Sequence, residues 1–426
     1  KKFLQLFSTK EKRIYLDNAG ATVIGGSAKE ALRSTSPVYG NPSGIHAEGA
    51  RAGQLLDKAR ALCATALNAH AYEIYFTGTG TESCNLAVLG TYQRWVSQQS
   101  ATAVFQVPHI ITSSIEHPAV LETIKNLEKD GKISVTYLPV YEDGIVKVKD
   151  MREALRPETI LVSVMYANNE IGTIQPVKEI GRAIDEWKRE NEKSFTDYPY
   201  FHTDACQAAN YCNIDVLRLK CHLMTVNSSK CYGPKGVALL YKREGVALAA
   251  TTFGGGQERE LRSGTENVSG AYAFGVALKE SQDIKDEESV RLRALRDETV
   301  EALKKALPDI IFYGAFDEYS HISKNGDVAH LKTELRLPNN INCRVKGISS
   351  EEMILRLDAK GIAVSHKSAC ASMETDGSYV LQALGATEAE AKENIRISMG
   401  RFTTKSDMNA LVNAMKEISD KYIVKN

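Results

Sequence analysis

Short apolar runs alternate with amphipathic helical patterns from residue 14 to about residue 241, and this alternation constrains the fold more than any other feature of the chain. The apolar runs predict strands at residues 73–77, 109–113, 134–139, 159–166, 200–203, 223–226 and 237–241. Apolar residues at i, i+3 and i+4 predict helices between them, at residues 47–67, 81–95, 119–129 and 177–189. Such alternation predicts an α/β fold with a mostly parallel seven-stranded sheet and helices on both of its faces.

The rest of the chain does not continue this strand–helix alternation and predicts a second, smaller α+β domain. The length of 426 residues supports two domains, because it exceeds what one ordinary core accommodates. A long charged helix over residues 286–307 leads to strands near residues 335–343 and 394–398, with helices near 350–359 and 404–422. Residues 316–332 are polar and predict a surface excursion. We therefore divide the chain into an N-terminal arm (1–13), a large domain (14–265) and a small domain (266–426).

Charge and cysteine content exclude several classes of function. Lys and Arg total 53 and so do Asp and Glu, so no basic field is available for a nucleic acid or an anionic membrane. No apolar stretch reaches the length of a membrane span. The eight cysteines are scattered without short paired spacing, which argues against a structural metal site and a disulfide framework. These features predict an intracellular protein, in the cytoplasm or the mitochondrial matrix.

Two predicted strands end in residues that suit one another chemically. The run Phe201-His202-Thr203 delivers the carboxylate of Asp204, and the next strand is followed by the amine of Lys230. Pyridoxal phosphate sites need such a pair: the lysine binds the cofactor covalently, and the carboxylate keeps the pyridine nitrogen protonated. Taken alone, the two residues are more typical of a structural Asp and a surface Lys.

A glycine-containing turn, Thr77-Gly78-Thr79-Gly80-Thr81, joins a predicted strand to a predicted helix. Free N–H groups at a helix N-terminus and threonine hydroxyls bind phosphate well, which makes Gly80 and Thr81 candidates for the cofactor phosphate. An ordinary helix cap has the same local sequence.

Two further polar segments follow strands at the same predicted edge. His117 comes just after residues 109–113, where a flat imidazole can stack on a planar cofactor and handle protons, or simply cap a helix. The segment Asn168-Asn169-Glu170-Ile171-Gly172 follows residues 159–166. Because open α/β sheets bind ligands beyond the carboxyl ends of their strands, these segments predict one shared crevice.

The small domain contributes a thiol and a guanidinium. Cys370 stands in a polar, small-residue stretch within the loop 366–379, which predicts a flexible loop whose thiol is either a nucleophile or a buried hydrophobe. Arg396 interrupts the apolar strand Asn394–Ser398 and needs an anionic partner. A substrate carboxylate and an internal salt bridge both meet that need.

In this order, the motifs resemble those of the cysteine desulfurases, within the class V aminotransferase-like group of pyridoxal phosphate enzymes. They run from about residue 14 to residue 404 and comprise Tyr15-Leu16-Asp17-Asn18, Gly40-Asn41-Pro42-Ser43, Thr81-Glu82-Ser83, Glu116-His117, Asn168–Gly172, Asp204–Gln207, Lys230, Arg262-Ser263-Gly264-Thr265, Ser368-Ala369-Cys370, Ser378-Tyr379 and Arg396. The resemblance implies a fold type I enzyme that works as a homodimer, with a long catalytic loop of the family's first branch around Cys370.

The resemblance also implies a role for each matching residue. Lys230 would carry pyridoxal phosphate, Asp204 would pair with its ring nitrogen, Gln207 with its phenolic oxygen, and His117 would stack on the ring. The phosphate would be held by Gly80, Thr81, Asn227, Ser229 and, from the second subunit, Thr265. Asn169 and Arg396 would hold the carboxylate of L-cysteine. Cys370 would take its sulfur as a persulfide, leave L-alanine, and pass the sulfur to an acceptor or iron–sulfur scaffold protein.

Two departures from the family pattern keep other functions open. The family usually has His where this chain has Ser229 and Ser where it has Asn227, so a possible positive charge beside the phosphate is lost. The sequence Ala19-Gly20-Ala21 is like that of the related molybdenum cofactor sulfurases. A selenocysteine lyase, or a weakly catalytic cofactor-binding assembly subunit, remains an alternative.

Overall fold

A seven-stranded sheet lies at the centre of the computed structural model, which describes residues 13–99, 106–194, 197–316, 318–320, 330–367 and 377–423. In chain order the strands are β1 (Ile14–Tyr15), β2 (Ile74–Thr77), β3 (His109–Ser113), β4 (Ser134–Leu138), β5 (Thr159–Ser163), β6 (Tyr200–Asp204), β7 (Leu223–Asn227), β8 (Ala238–Lys242), β9 (Ile311–Phe312), β10 (Glu318–Ser320), β11 (His330–Thr333), β12 (Asn340–Arg344), β13 (Ile362–Ala363) and β14 (Asn394–Ser398).

Helices cover the sheet and form much of the rest of the described chain. They are α1 (Gly26–Thr35), α2 (Ala47–Leu67), α3 (Gly80–Ser97), α4 (Pro118–Lys129), α5 (Val148–Ala154), α6 (Val177–Glu190), α7 (Val216–Leu219), α8 (Val268–Ala306), α9 (Ser350–Ala359), α10 (Tyr379–Ala383), α11 (Glu388–Ala391) and α12 (Lys405–Ile423). Among the described residues, no helix combines the length and apolar character that a membrane crossing requires.

The central sheet has the strand order β2-β8-β7-β6-β5-β3-β4. Strands β4, β3, β5, β6 and β7 pair in parallel, whereas β8 is antiparallel to both of its neighbours. The predicted mostly parallel seven-stranded α/β sheet is therefore confirmed. All seven predicted strands exist, and their ends differ from the prediction by a few residues.

Side chains alternate between two hydrophobic cores, one on each face of the sheet. Ile111, Val162 and Phe201 belong to one core, together with residues of α2, α6 and α8. Their neighbours Ile110 and Leu161 belong to the other core, together with residues of α3 and α4. Because successive strand residues point to opposite faces, apolar runs without polar interruptions are what a sheet covered on both faces requires.

The long helix α8 begins earlier than the sequence predicted. We expected a helix over residues 286–307, but α8 spans 39 residues from Val268 to Ala306. Gly270 and Gly275 in its first part lower helix propensity. Packing against α2 outweighs this cost, since a Cβ on Gly275 would lie 2.9 Å from the carbonyl oxygen of Ala59.

A smaller antiparallel sheet, with the order β14-β12-β9, lies beside the first. The start of the described chain joins this region, because β1 pairs in parallel with β13 and Asp17 bridges to Ser398 at the end of β14. This pairing brings residues 17–20 and β14 to the same place. The division into a large and a small domain stays a prediction.

Several predicted features fall partly or wholly outside the described residues. The predicted N-terminal arm covers residues 1–13, of which only Arg13 is described. Residues 368–376, which include Cys370, also lie outside. Within the polar segment 316–332, the described parts include β10, which pairs antiparallel with β11.

Candidate active site

A cavity of about 280 Å³ opens beyond the carboxyl ends of the central strands. Segments that follow β2, β3, β5, β6 and β7 each contribute to its wall, as parallel strands with a common edge allow. The lining residues are Ala19, Gly20, Thr79, Gly80, Thr81, His117, Ala119, Met165, Ala167, Asn169, Asp204, Cys206, Gln207, Asn227, Ser229, Lys230 and Arg396.

The structure brings ten of the twelve residues predicted for the site to this cavity. They are Gly80, Thr81, His117, Asn169, Asp204, Gln207, Asn227, Ser229, Lys230 and Arg396. Thr265 is exposed and does not line the cavity, and Cys370 lies outside the described residues. Sequence reasoning gave no role to Ala19, Gly20 or Cys206, although all three belong to motifs that it had quoted.

Lys230 ends a single 3-10 turn, Ser228–Lys230, that directly follows β7. Its Nζ donates hydrogen bonds to the carbonyl oxygen of Ala19, at 2.7 Å, and to that of Gly20. Burial lowers the pKa of the Lys230 amine, and the positive charge of Arg396 acts in the same direction. A lowered pKa increases the fraction of neutral amine, which is the form that attacks a carbonyl carbon.

Asp204 lines the cavity from the end of β6, where it is almost fully buried. Its Oδ1 accepts a hydrogen bond from the backbone N–H of Cys206 at 2.9 Å, and its Oδ2 accepts one from the Cys84 thiol at 3.7 Å. Burial, followed by the charge of Asp204, raises the pKa of Cys84 well above its usual range. That thiol therefore stays protonated and donates to the carboxylate.

The N-terminus of α3 forms a narrow polar cradle between these two groups. Thr79 caps the helix by accepting a hydrogen bond from the backbone N–H of Glu82 at 3.1 Å, so the helix-cap alternative is also realised. A Cβ on Gly80 would lie 3.3 Å from both Nδ2 of Asn227 and Sγ of Cys206. The helix terminus, the Ser229 hydroxyl and the Asn227 amide together suit a phosphate group.

His117 serves two purposes. Its Nδ1 accepts a hydrogen bond from the backbone N–H of Ala119 at 3.1 Å, which caps α4. In the neutral ring the proton must then be on Nε2. Burial lowers the pKa of His117, and the charges of Lys230 and Arg396 lower it further against the opposing effect of Asp204. A neutral imidazole that also lines the cavity is the result.

Arg396 enters the cavity from β14 with only 1% of its side chain exposed. One guanidinium nitrogen binds Oδ1 of Asp17 at 2.7 Å, and another donates to the carbonyl oxygen of Asn169 at 3.1 Å. Its Nε is buried and makes no hydrogen bond with any described residue, and the same holds for Oδ1 of Asn169. The predicted salt bridge therefore exists, and unused polar atoms remain beside it.

Glu116 is an ionisable group to which sequence reasoning assigned no role. Its Oε1 accepts hydrogen bonds from Oγ of Ser113 at 2.6 Å and from the backbone N–H of Met165 at 2.8 Å. Complete burial raises the pKa of Glu116 to about 8. The carboxyl group links the ends of β3 and β5 directly behind His117. In the sequence, the only signal that pointed to Glu116 was its place in the Glu116-His117 motif.

The protein's relatives identify its family. A family model described as aminotransferase class-V matches residues 14–411. The cysteine desulfurase IscS of Methanosarcina thermophila is 39% identical over 415 residues, which cover 97% of this chain and 94% of that protein. The cysteine desulfurase IscS of Clostridium botulinum strain Hall is 37% identical over 408 residues, covering 96% and 94%. The chain therefore belongs to the class-V aminotransferase family, in the group of the cysteine desulfurases.

Solved structures agree with this assignment. A NifS-like protein superposes with a TM-score of 0.82 at 30% identity, over 96% of this chain and 100% of its own. SspA in complex with cysteine superposes with a TM-score of 0.70 at 29% identity, over 92% and 100%. The fold type I architecture is thereby confirmed. These comparisons give no support to the selenocysteine lyase or the assembly-subunit alternative.

Proposed function

We propose that this chain is a pyridoxal phosphate-dependent cysteine desulfurase that converts L-cysteine to L-alanine and transfers the sulfur to Cys370. The observation that carries the proposal is the cavity itself. A buried carboxylate, Asp204, and an amine of lowered pKa, Lys230, line one cavity together with the N-terminus of α3 and a buried guanidinium, Arg396.

The residues present fit the cofactor. Lys230 would bind it covalently, Asp204 would pair with the ring nitrogen, Gln207 with the phenolic oxygen, and His117 would stack on the ring. Gly80, Thr81, Asn227 and Ser229 would hold the phosphate, and Thr265 of a second subunit would complete this set. When bound, the protonated pyridine ring withdraws electrons from the substrate's α-carbon.

The chain's own groups then manage protons and orientation. Neutral Nζ of Lys230 is suited to accept a proton from the substrate's α-carbon and to return it. The Nε2–H of His117 supplies a second proton donor in the same cavity. Arg396 and Asn169 would hold the substrate carboxylate, since both residues line the cavity and the guanidinium and the side-chain N–H₂ of Asn169 are hydrogen-bond donors.

The sulfur balance needs one thiol and no oxidant. The thiolate of Cys370 attacks the substrate's sulfur, the carbon–sulfur bond breaks, and the carbon takes a proton to become alanine. One cysteine and one enzyme thiol thus give one alanine and one enzyme persulfide. An acceptor or scaffold protein for iron–sulfur assembly or thiolation would remove that sulfur, in the cytoplasm or in the mitochondrial matrix.

Turnover of L-cysteine tests the proposal. The purified protein, supplied with pyridoxal phosphate, should release alanine from L-cysteine, and sulfide when a thiol reductant is present. Borohydride reduction followed by peptide mapping should place the cofactor label on Lys230. A label on another residue, or no alanine from L-cysteine, would contradict the proposal.

Two cysteine variants locate the sulfur step. Cys370→Ala should keep the cofactor label but lose alanine formation by orders of magnitude, because the proposal assigns the attacking sulfur to Cys370. Cys221→Ala is the matched control, since Cys221 lies buried before β7 at the other end of that strand. It should turn over like the parent. Normal turnover by Cys370→Ala would show that another thiol, or none, accepts the sulfur.

A further inference from the structure

The carboxylate of Asp17 forms an ion pair with Arg396, the residue whose guanidinium would bind a substrate carboxylate. Oδ1 of Asp17 lies 2.7 Å from a terminal nitrogen of Arg396, whose side chain is 1% exposed. The Asp17 side chain is 25% exposed, so Arg396 is shielded from water whereas Asp17 is partly hydrated. Arg396 therefore does not carry an uncompensated charge in the ligand-free protein.

The backbone fixes Asp17 in this position from both sides. The amide of the preceding Leu16 donates to the carbonyl oxygen of Ala363, the last residue of β13, at 2.8 Å. The amide of the following Asn18 donates to the carbonyl oxygen of Ser398 on β14 at 3.2 Å. Asp17 is thus held by the same strand that carries Arg396, so its backbone cannot move away from Arg396 without breaking these strand contacts.

Gly20 leaves the space that the carboxylate needs. A Cβ on Gly20 would lie 2.5 Å from Oδ2 of Asp17, closer than side-chain atoms approach one another. Any larger residue at position 20 would therefore displace the carboxylate that pairs with Arg396. This spatial need gives a physical reason for glycine in the Ala19-Gly20-Ala21 sequence.

We infer that Asp17 competes with the substrate's carboxylate for Arg396 and so weakens the binding of amino acids. The inference rests on the proposed function in one respect, namely that Arg396 receives the substrate carboxylate. A ligand carboxylate brings a second negative charge to one buried guanidinium, and repulsion between the two carboxylates opposes its entry.

Weak carboxylate binding has a catalytic benefit in this reaction. L-Alanine carries the same carboxylate and amine as L-cysteine, so tight binding of the carboxylate would hold substrate and product alike. Uniform binding of this kind lowers KM without raising kcat, and it slows product release. Asp17 reduces this uniform binding at a group that the reaction leaves unchanged.

Binding of L-alanine and of ethylamine, which lacks the carboxylate, to the cofactor-loaded protein tests the inference by calorimetry. Asp17→Asn should lower the Kd for L-alanine about tenfold, the change expected when one unfavourable charge contact is removed. Ethylamine should bind no more tightly to Asp17→Asn than to the parent, because the lost negative charge favoured its ammonium group. In turnover, KM for L-cysteine should fall while kcat does not rise.

Asp358→Asn is the matched control, because Asp358 forms an exposed ion pair with Arg13 away from the cavity. It should bind L-alanine like the parent. An unchanged or higher Kd for L-alanine in Asp17→Asn would overturn the inference and leave Asp17 a purely structural partner of Arg396.

A measurement on the parent protein covers the case in which Asp17→Asn does not fold. L-Alanine should then bind less than about tenfold more tightly than ethylamine, since Asp17 offsets the gain from a charge-assisted pair. A larger ratio would overturn the inference. A parent that binds L-alanine but forms none from L-cysteine would contradict the proposed function alone, and the alanine-to-ethylamine comparison would still decide the role of Asp17.

Discussion

At the scale of single residues, the side chains that line the cavity also hold the local backbone in place. His117 caps α4 while its ring lines the cavity. Asn227 accepts hydrogen bonds from both the backbone N–H and the hydroxyl of Ser229, at 3.3 Å each, while its amide group faces Gly80. The site is therefore preorganised by bonds that do not depend on a ligand, which limits the ordering cost of binding.

Ser229 offers a prediction at this scale, because the family expects histidine there. Ser229→Ala should weaken binding of pyridoxal phosphate by at most about 1 kcal/mol, the usual contribution of a neutral hydrogen bond, because the hydroxyl's one proton must leave Asn227 to reach the phosphate. Ser229→His should bind it as tightly as the parent or more tightly, since charge-assisted bonds to phosphate are roughly twice as strong. Cofactor dissociation constants measure both effects.

Ser97→Ala is the control for this series, because Ser97 is exposed at the far end of α3 and its hydroxyl only bonds the carbonyl oxygen of Arg94. It should leave the cofactor's dissociation constant unchanged. If Ser229→Ala binds the cofactor as well as the parent, the hydroxyl is not a ligand.

At the scale of elements, buried polar contacts connect strand ends that the sheet alone would leave separate. Glu116 joins the ends of β3 and β5 through Ser113 and Met165. The hydroxyl of Tyr379, at the start of α10, donates to the carbonyl oxygen of Glu116 at 2.6 Å. The described end of the loop that precedes α10 is thereby tied to the segment that carries His117.

Glu116 predicts a pH dependence of stability. Burial raises its pKa in the folded protein to about 8, whereas an unfolded chain would have the ordinary value of 4.5. Between these pH values the folded state holds a proton that the unfolded state has released. The contribution of Glu116 to the free energy of unfolding is therefore fully present below pH 4.5. It is lost as the pH rises towards 8, by up to about 1.4 kcal/mol per pH unit.

Glu116→Gln should remove this loss, because glutamine keeps the shape of the carboxyl group and cannot ionise. Its unfolding midpoint in urea should rise relative to that of the parent between pH 5 and pH 9. Glu122→Gln, on the exposed side of α4, is the control, and its unfolding midpoint should differ from that of the parent by the same amount at every pH. An equally constant difference for Glu116→Gln would show that Glu116 is ionised in the folded protein.

At the scale of the whole molecule, the turn at residues 258–260 is held in place by buried hydrogen bonds, and the exposed Thr265 follows it. Glu258, Arg259 and Glu260 have φ values of 47°, 54° and 64°, which residues other than glycine rarely adopt. Two hydrogen bonds, of 2.7 and 2.9 Å, join the guanidinium of Arg60 to the buried carboxylate of Glu258 and hold this turn. Thr265 follows it in an exposed position.

Large apolar side chains at the surface predict a homodimer. Tyr39, Ile45 and Phe253 are large apolar side chains with more than four fifths of their surface exposed. Apolar side chains this exposed suggest an interface with another protein chain. Because Thr265 does not reach its own cavity, we expect it to contact the cofactor of the second subunit.

Ile45→Asp should convert the dimer to a monomer, since an interface would bury the new carboxylate without a partner. The monomer should bind pyridoxal phosphate more weakly because it lacks the partner's Thr265. Sedimentation velocity and the cofactor's dissociation constant measure the two effects. Leu217→Asp, on the exposed side of α7, should leave both unchanged. A dimeric Ile45→Asp protein would place the interface elsewhere.

The sequence by itself determined the strands of the central sheet and the edge at which the site lies. Strand and helix patterns are local, and the common direction of parallel strands places Thr81, His117, Asn169, Asp204 and Lys230 at one edge. Their convergence could therefore be predicted from the residues that follow each strand.

Only the tertiary structure decided which charges meet. Asp17 and Arg396 are 379 positions apart, and no local pattern records that β1 joins β13 beside β14. The protonation of Glu116 likewise depends on burial by elements from several parts of the chain, as does the early start of α8 against α2. Such contacts are properties of the chain's path in space, because burial and charge pairing depend on neighbours that are distant in sequence.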